Sequence, residues 1–123
     1  MDLSVVHQQA EEFQRTRTQT YQSFKVAGVE YEGMLHDSRG TLVKSVSLSE
    51  QIQYLHFDSV DFKGHSVLDI GCNIGAFSLE AIERGATRVT AVDVASACVR
   101  EAKMLKTIAM QVLPQADVLS IQR

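Results

Sequence analysis

The chain has 123 residues, 45% of them hydrophobic and 22% charged, with a formal net charge of −3. That balance is ordinary for a globular domain and leaves no basic footprint of the kind nucleic-acid-binding surfaces carry. Cys72 and Cys98, both in apolar segments, make neither a disulfide framework nor a metal set, and His7, His36, His56 and His65 are scattered without ligand spacing. The opening residues, Met-Asp-Leu-Ser-Val-Val-His-Gln-Gln, have no basic region and no long apolar run, so no secretory signal is expected. No window approaches the length of a membrane span, and the expected compartment is the cytoplasm.

From the amino end, Leu3, Val6, Ala10, Phe13, Tyr21 and Phe24 fall mostly three or four residues apart, or at multiples of that, on a background of Gln, Glu, Arg and Thr. The spacing predicts an amphipathic helix over about 2–24, interrupted by a polar patch at 15–19. Its apolar stripe would cover a sheet or cap a cleft. Gly28 and Gly33 then break the chain. Residues 29–35 and 41–46 are β-prone and flank the turn-rich run 36–40, which predicts a hairpin. Ser47 with Glu50 forms a capping box that opens a helix to about Phe57. The expected organisation is a leader over 1–61 and a second unit over 62–123. Tyr31, His36 and Tyr54 of the leader could reach the mouth of a cleft, although packing accounts better for the tyrosines and an exposed turn for His36.

The second unit opens with the most informative stretch. An apolar strand at Val67–Ile70 runs into a glycine-spaced turn, a helix follows, and a second strand, Val89-Thr90-Ala91-Val92, ends on Asp93. A dinucleotide-binding turn needs Gly-x-Gly-x-x-Gly, so that bare backbone can approach a pyrophosphate at a helix N-terminus. Counted from Gly71, the positions that pattern gives to glycine hold Asn73 and Ala76. The chain offers Asp69-x-Gly71-x-x-x-Gly75 instead. A carboxylate just ahead of the first glycine repels a diphosphate and favours a cation. The turn therefore suits a positively charged, phosphate-free nucleoside, and nicotinamide-dependent redox chemistry is disfavoured.

These residues resemble the first motif of the class I S-adenosylmethionine-dependent methyltransferases, commonly Asp/Glu-x-Gly-x-Gly-x-Gly. Asp69, Gly71 and Gly75 match, and Asn73, which tolerates left-handed backbone angles, replaces the middle glycine. The resemblance implies S-adenosylmethionine as cofactor, with Asp69 orienting its ammonium group and the backbone of Gly71, Cys72, Asn73 and Gly75 lining it. Cys72 is more plausibly packing than a nucleophile. By the same resemblance Asp93 accepts from the ribose hydroxyls, with Val94 and Ala95 flanking the adenine ring. The plainer alternative is that Asp93 caps the following helix, with Ser96 as a competing cap. A helix over about 95–109 precedes a short third strand from Met110, interrupted by Pro114, which demotes it towards an edge. Asp117 matches the acid or amide that in the family often receives the adenine amino group, whereas a lone Asp in a polar loop is often just solvated.

The implied fold is α/β, a Rossmann-like doubly wound sheet of the class I methyltransferase type, apparently truncated after its third strand and preceded by the helical and hairpin leader. In the family's strand order the first strand lies at the middle of the sheet, so truncation would expose Val67–Ile70 as an edge open to a second copy or a complementing chain. The lead-in Phe62-Lys-Gly-His-Ser-Val-Leu-Asp-Ile-Gly-Cys72, with Gly75-Ala-Phe-Ser78, Arg84-Gly-Ala86 and Val89-Thr-Ala-Val-Asp93, looks particularly like the tRNA wobble-uridine-modifying methyltransferases and their uncharacterised relatives. The implied reaction transfers an activated methyl group to a small molecule or an RNA base, and mainly requires alignment and exclusion of water. No residue stands out as a catalytic base. The rival reading is a non-catalytic remnant that assembles with, or regulates, a partner through its open sheet edge.

Overall fold

The computed structural model describes residues 2–123. Helix α1 (Leu3–Thr16) starts where the Asp2 carboxylate accepts from the Ser4 amide at 2.9 Å, satisfying one of the donors that every helix start leaves free. It buries Val6, Ala10 and Phe13 along one stripe. The expected continuation to residue 24 does not form, because Arg17 is already extended (φ −65°, ψ 147°). Phe24, whose spacing suggested the same helix, instead opens strand β1 (Phe24–Val26) and is fully buried there. β1 pairs antiparallel with β2 (Val29–Tyr31) across Ala27 and Gly28, both at positive φ (51° and 80°), which matches the right-handed twist of a tight hairpin.

The single strand expected over 29–35 is thus cut in two. Strand β3 (Gly33–His36) belongs to a second hairpin, with β4 (Leu42–Val46), and its register shifts between Leu35 and His36. Gly33 is required at the junction, since a Cβ there would run into the Tyr21 carbonyl. Helix α2 (Leu48–Tyr54) follows its predicted cap, the Ser47 hydroxyl accepting from the Glu50 amide at 3.1 Å. The Glu50 carboxylate turns to Lys44, at 3.5 Å. The helix stops short of Phe57 because His56 adopts left-handed angles (φ 57°, ψ 37°), and a 3-10 turn occupies Phe57–Ser59.

Strands β5 (Ser66–Ile70), β6 (Arg88–Val92) and β7 (Leu119–Gln122) form a parallel sheet in the order β5-β6-β7, linked by helices α3 (Ala76–Glu83) and α4 (Ser96–Ala109). The fold is α/β and Rossmann-like. Both crossovers step in the same direction across the sheet, and right-handed crossovers then place both helices on one face. That face carries Val89, Ala91, Leu119 and Ile121, all buried. The opposite face, in register as Leu68–Thr90–Ser120 and Ile70–Val92–Gln122, has no helix over it among the described residues. So the described residues form one half of a doubly wound pattern, covered on one side. Leader and sheet share one core, which runs without a break from Val6, Phe13 and Phe24 to Leu79, Leu105 and Leu119.

The third strand lies later than expected. Pro114 sits at the start of a 3-10 turn (Pro114–Val118), where its fixed φ and missing N–H are tolerated, and β7 begins only at Leu119. Asp117 therefore precedes the strand. No helix of the described residues is long and apolar enough to cross a membrane.

Candidate functional site

The carboxyl ends of β5 and β6 are lashed together by the turn between β5 and α3. The amides of Gly71 and Cys72 both donate to the Val92 carbonyl, at 2.8 and 3.0 Å. Gly71 (φ 74°), Asn73 (φ 52°) and Gly75 (φ 81°) are all left-handed, so asparagine holds the middle position in the conformation it tolerates better than other side chains. Gly75 is favoured by its left-handed backbone rather than by space, since a Cβ there would meet Ala102 at 3.5 Å, an ordinary contact.

Asp93 stands beside this turn and fixes it. One carboxylate oxygen accepts from the Asn73 amide and the other from the Ala95 amide, each at 2.9 Å. The capping alternative is not realised, because Ala95 is itself the N-cap residue of α4 and no side chain caps that helix. Each oxygen keeps a second lone pair for a ligand hydroxyl. Val94, immediately beyond, is 89% exposed.

Asp69 points from β5 towards α3, where the Ser78 hydroxyl donates to it at 2.6 Å. Burial raises its carboxyl above the ordinary range; the Ser78 hydroxyl offsets part of this, and the negative charge of Asp93 adds to it. The two acids are thus close enough for the charge of Asp93 to oppose ionisation of Asp69. The buried Asn73 Oδ1 has no hydrogen-bond partner among the described residues. An acceptor without a donor and two crowded carboxylates suit a ligand that brings cationic and hydroxyl donors. They do not suit a phosphate. Cys72 is fully buried, and burial, followed by Asp69 and Asp93, pushes its thiol up to about 12. It stays a neutral packing group.

The structure brings Asp69, Gly71, Cys72, Asn73, Gly75, Asp93 and Val94 to one end of the sheet. Asp117 is the exception. It precedes a parallel strand, so it lies at the amino end of the sheet, away from the turn. Tyr31 stacks on Phe24 with ring centroids 4.7 Å apart and serves the core. His36 is exposed on the second hairpin.

Sequence reasoning missed the strap that closes this end. Residues 17–22 cross from α4 to α3. On α4, the buried Glu101 carboxylate accepts from the Thr18 amide and hydroxyl and from the Gln19 amide. On α3, the Gln22 side-chain oxygen accepts from the Ala76 amide at 3.1 Å, in the first turn. The buried Arg17 guanidinium donates to the carbonyls of Gln22 and Glu32 and lies 5.2 Å from the Phe24 ring centroid. Burial lowers it to about 10 despite the nearby Glu101, which leaves it cationic at neutral pH. The available signal was Glu101 itself, a carboxylate on the same helix face as Val99, Ala102 and Leu105.

The fold is that of α/β domains that take nucleoside cofactors, and its glycine-spaced turn is flanked by acids. The profile of the FtsJ-like methyltransferase family matches residues 47–123, more than half of the chain, and the chain belongs to that family. The family's cofactor is S-adenosylmethionine. Among solved structures, similarity extends to a candidate S-adenosylmethionine-dependent methyltransferase from Listeria monocytogenes (28% identity, TM-score 0.48, covering 58% of this chain and 30% of that one). It extends also to a candidate RNA methyltransferase from Pyrococcus horikoshii (20% identity, TM-score 0.44, covering 60% and 33%). This chain spans about a third of the length of these proteins. No curated protein matches it.

Proposed function

We propose that the chain is the S-adenosylmethionine-binding half of a methyltransferase acting on a small molecule or an RNA base. The observation that carries this is the pair Asp69, near the end of β5, and Asp93, just past β6, beside a left-handed turn whose buried Asn73 oxygen has no partner among the described residues. In this reading Asp69 accepts from the ammonium group of the cofactor, Asp93 from its ribose hydroxyls, and Val94 lies against the adenine. The bound cofactor supplies an already activated methyl group. The strap over the helix N-termini keeps water out. No residue is assigned as a base. The resemblance of the motif segments to the tRNA wobble-uridine-modifying enzymes supports the cofactor more than it does either acceptor. Two buried free cysteines fit a reducing, cytoplasmic setting.

Calorimetric titration of the chain with S-adenosylmethionine and, separately, with NAD tests the reading. S-adenosylmethionine should bind and NAD should not. Asp93→Ala should weaken binding by about 1–3 kcal/mol, the cost of an unmatched hydrogen-bonding group. Because Asp93 also holds two backbone amides, Asp93→Asn is the necessary companion, with a smaller effect on folding. Binding of NAD alone, or an unchanged affinity in both variants, would remove the assignment. The rival reading, an assembly partner without catalysis, draws support from the exposure of Leu68 (61%) and Ile70 (77%) on β5.

A further inference from the structure

Asn73 stands at the middle of the binding turn, where the pattern that the turn resembles has glycine. The backbone there has no need of a side chain. At φ 52° it is left-handed, like Gly71 (φ 74°) and Gly75 (φ 81°) on either side, and glycine takes such angles without steric cost. The Asn73 amide N–H donates to Asp93 at 2.9 Å, a bond that glycine would make equally well. The side chain is an addition, and in the ligand-free fold an unfavourable one. Its Oδ1 is buried without a hydrogen-bond partner, so this acceptor has left water and met no donor. A left-handed non-glycine backbone and an orphaned acceptor on one residue of a binding turn point to a role outside folding.

Counting donors identifies the group that this oxygen meets. With the turn read as the methyl-donor site, the ribose hydroxyls go to Asp93 and the ammonium group to Asp69. Asp69 already accepts from the Ser78 hydroxyl on one oxygen. An ammonium group carries three N–H donors in tetrahedral directions, and one carboxylate cannot lie along all of them. A neutral amide oxygen supplies a further acceptor. It does so without a third negative charge where Asp93 already opposes ionisation of Asp69.

We propose that the Asn73 side-chain oxygen is a second acceptor for the ammonium group of the cofactor, and that it makes the turn selective for nucleosides with an amino-acid end. The inference rests on the turn being the methyl-donor site. Asp69 supplies the charge, and Asn73 the directional hydrogen bond. Because this side chain is a departure from the glycine pattern, the role is this chain's own, and glycine at 73 is its natural control.

The test is calorimetric titration of the full chain and of Asn73→Gly with two ligands. One is S-adenosylhomocysteine; the other is 5′-methylthioadenosine, which keeps the nucleoside and the thioether but lacks the amino-acid end. The wild-type chain should prefer S-adenosylhomocysteine. Asn73→Gly should weaken that ligand at least about tenfold, the low end for a hydrogen bond to a charged group, and leave methylthioadenosine unchanged. The variant should melt no lower than the wild type, since glycine removes both the orphaned acceptor and the left-handed strain; a lower melting temperature would assign Asn73 to folding and overturn the inference. An unchanged affinity for S-adenosylhomocysteine in the variant also overturns it. So does an equal loss for both ligands, because the side chain would then only shape the turn. A wild-type chain that binds neither ligand overturns the methyl-donor reading itself, and the inference with it.

Discussion

Asp69 is set where its charge is poorly accommodated. It accepts from Ser78, but burial and the opposing Asp93 raise its carboxyl above the ordinary range. An acid whose folded pKa is raised costs stability once the pH exceeds its unfolded value, and the cost grows until the folded value is passed. At neutral pH, Asp69→Asn should therefore raise the melting temperature of the ligand-free chain by a few degrees. The same substitution should weaken S-adenosylmethionine binding at least about tenfold, since the ammonium group loses its charged acceptor. Thermal melts and calorimetry on the one variant check both halves; a fall in melting temperature would contradict the electrostatic argument. At this scale much was legible in the sequence. Asp69, Gly71, Asn73, Gly75 and Asp93 converge because a strand, a tight turn and one crossover fix their separation. Asp117 did not follow, since moving one strand boundary past Pro114 transfers it to the other end of the sheet.

At the scale of elements, the leader is where local pattern ran out. The three-to-four spacing continued through Tyr21 and Phe24, yet helix α1 ends at Thr16 and those aromatics serve a strap and a strand. The polar patch at 15–19 looked like an interruption because its partners, Glu101 and the Glu32 carbonyl, are remote in sequence. Burial alone would raise the Glu101 carboxyl, but the Thr18 hydroxyl and the amides of Gln19 and Thr18 together hold it below its ordinary value. An acid depressed in this way adds stability above its unfolded pKa and loses it as the pH falls through the folded one. Wild-type stability to urea should accordingly drop below about pH 4.5, and Glu101→Gln should flatten that part of the profile. Hydrogen exchange at the Thr18 and Gln19 amides should quicken in the variant at neutral pH. Unaltered exchange there would show that the strap is held by something other than this carboxylate.

The whole molecule leaves one flank of its sheet uncovered among the described residues. β5 has β6 on one side and no strand on the other, and Leu68 and Ile70 project from the bare face. A parallel strand with an unpaired ladder beside exposed aliphatic side chains is a template for another strand. Sedimentation should show a concentration-dependent mass for the wild-type chain, and Leu68→Lys with Ile70→Lys should shift it towards the monomer without loss of folding. A wild-type chain that remains monomeric at all concentrations would count against pairing at this edge. The strand order followed from the resemblance, since the family's order sets its first three strands side by side, as β5-β6-β7 are here. The leader's place in the same core did not, since Val6, Phe13 and Phe24 meet the sheet through contacts that no local window contains.

The two acids of the site also differ in what keeps them. Asp93 holds the Asn73 and Ala95 amides whether or not a ligand is present, so folding alone preserves it. Asp69 does the reverse, burdening the empty fold. In a lineage released from methyl chemistry, random drift would therefore erase Asp69 early and Asp93 late. Retention of both acids is what the proposed cation-binding site predicts.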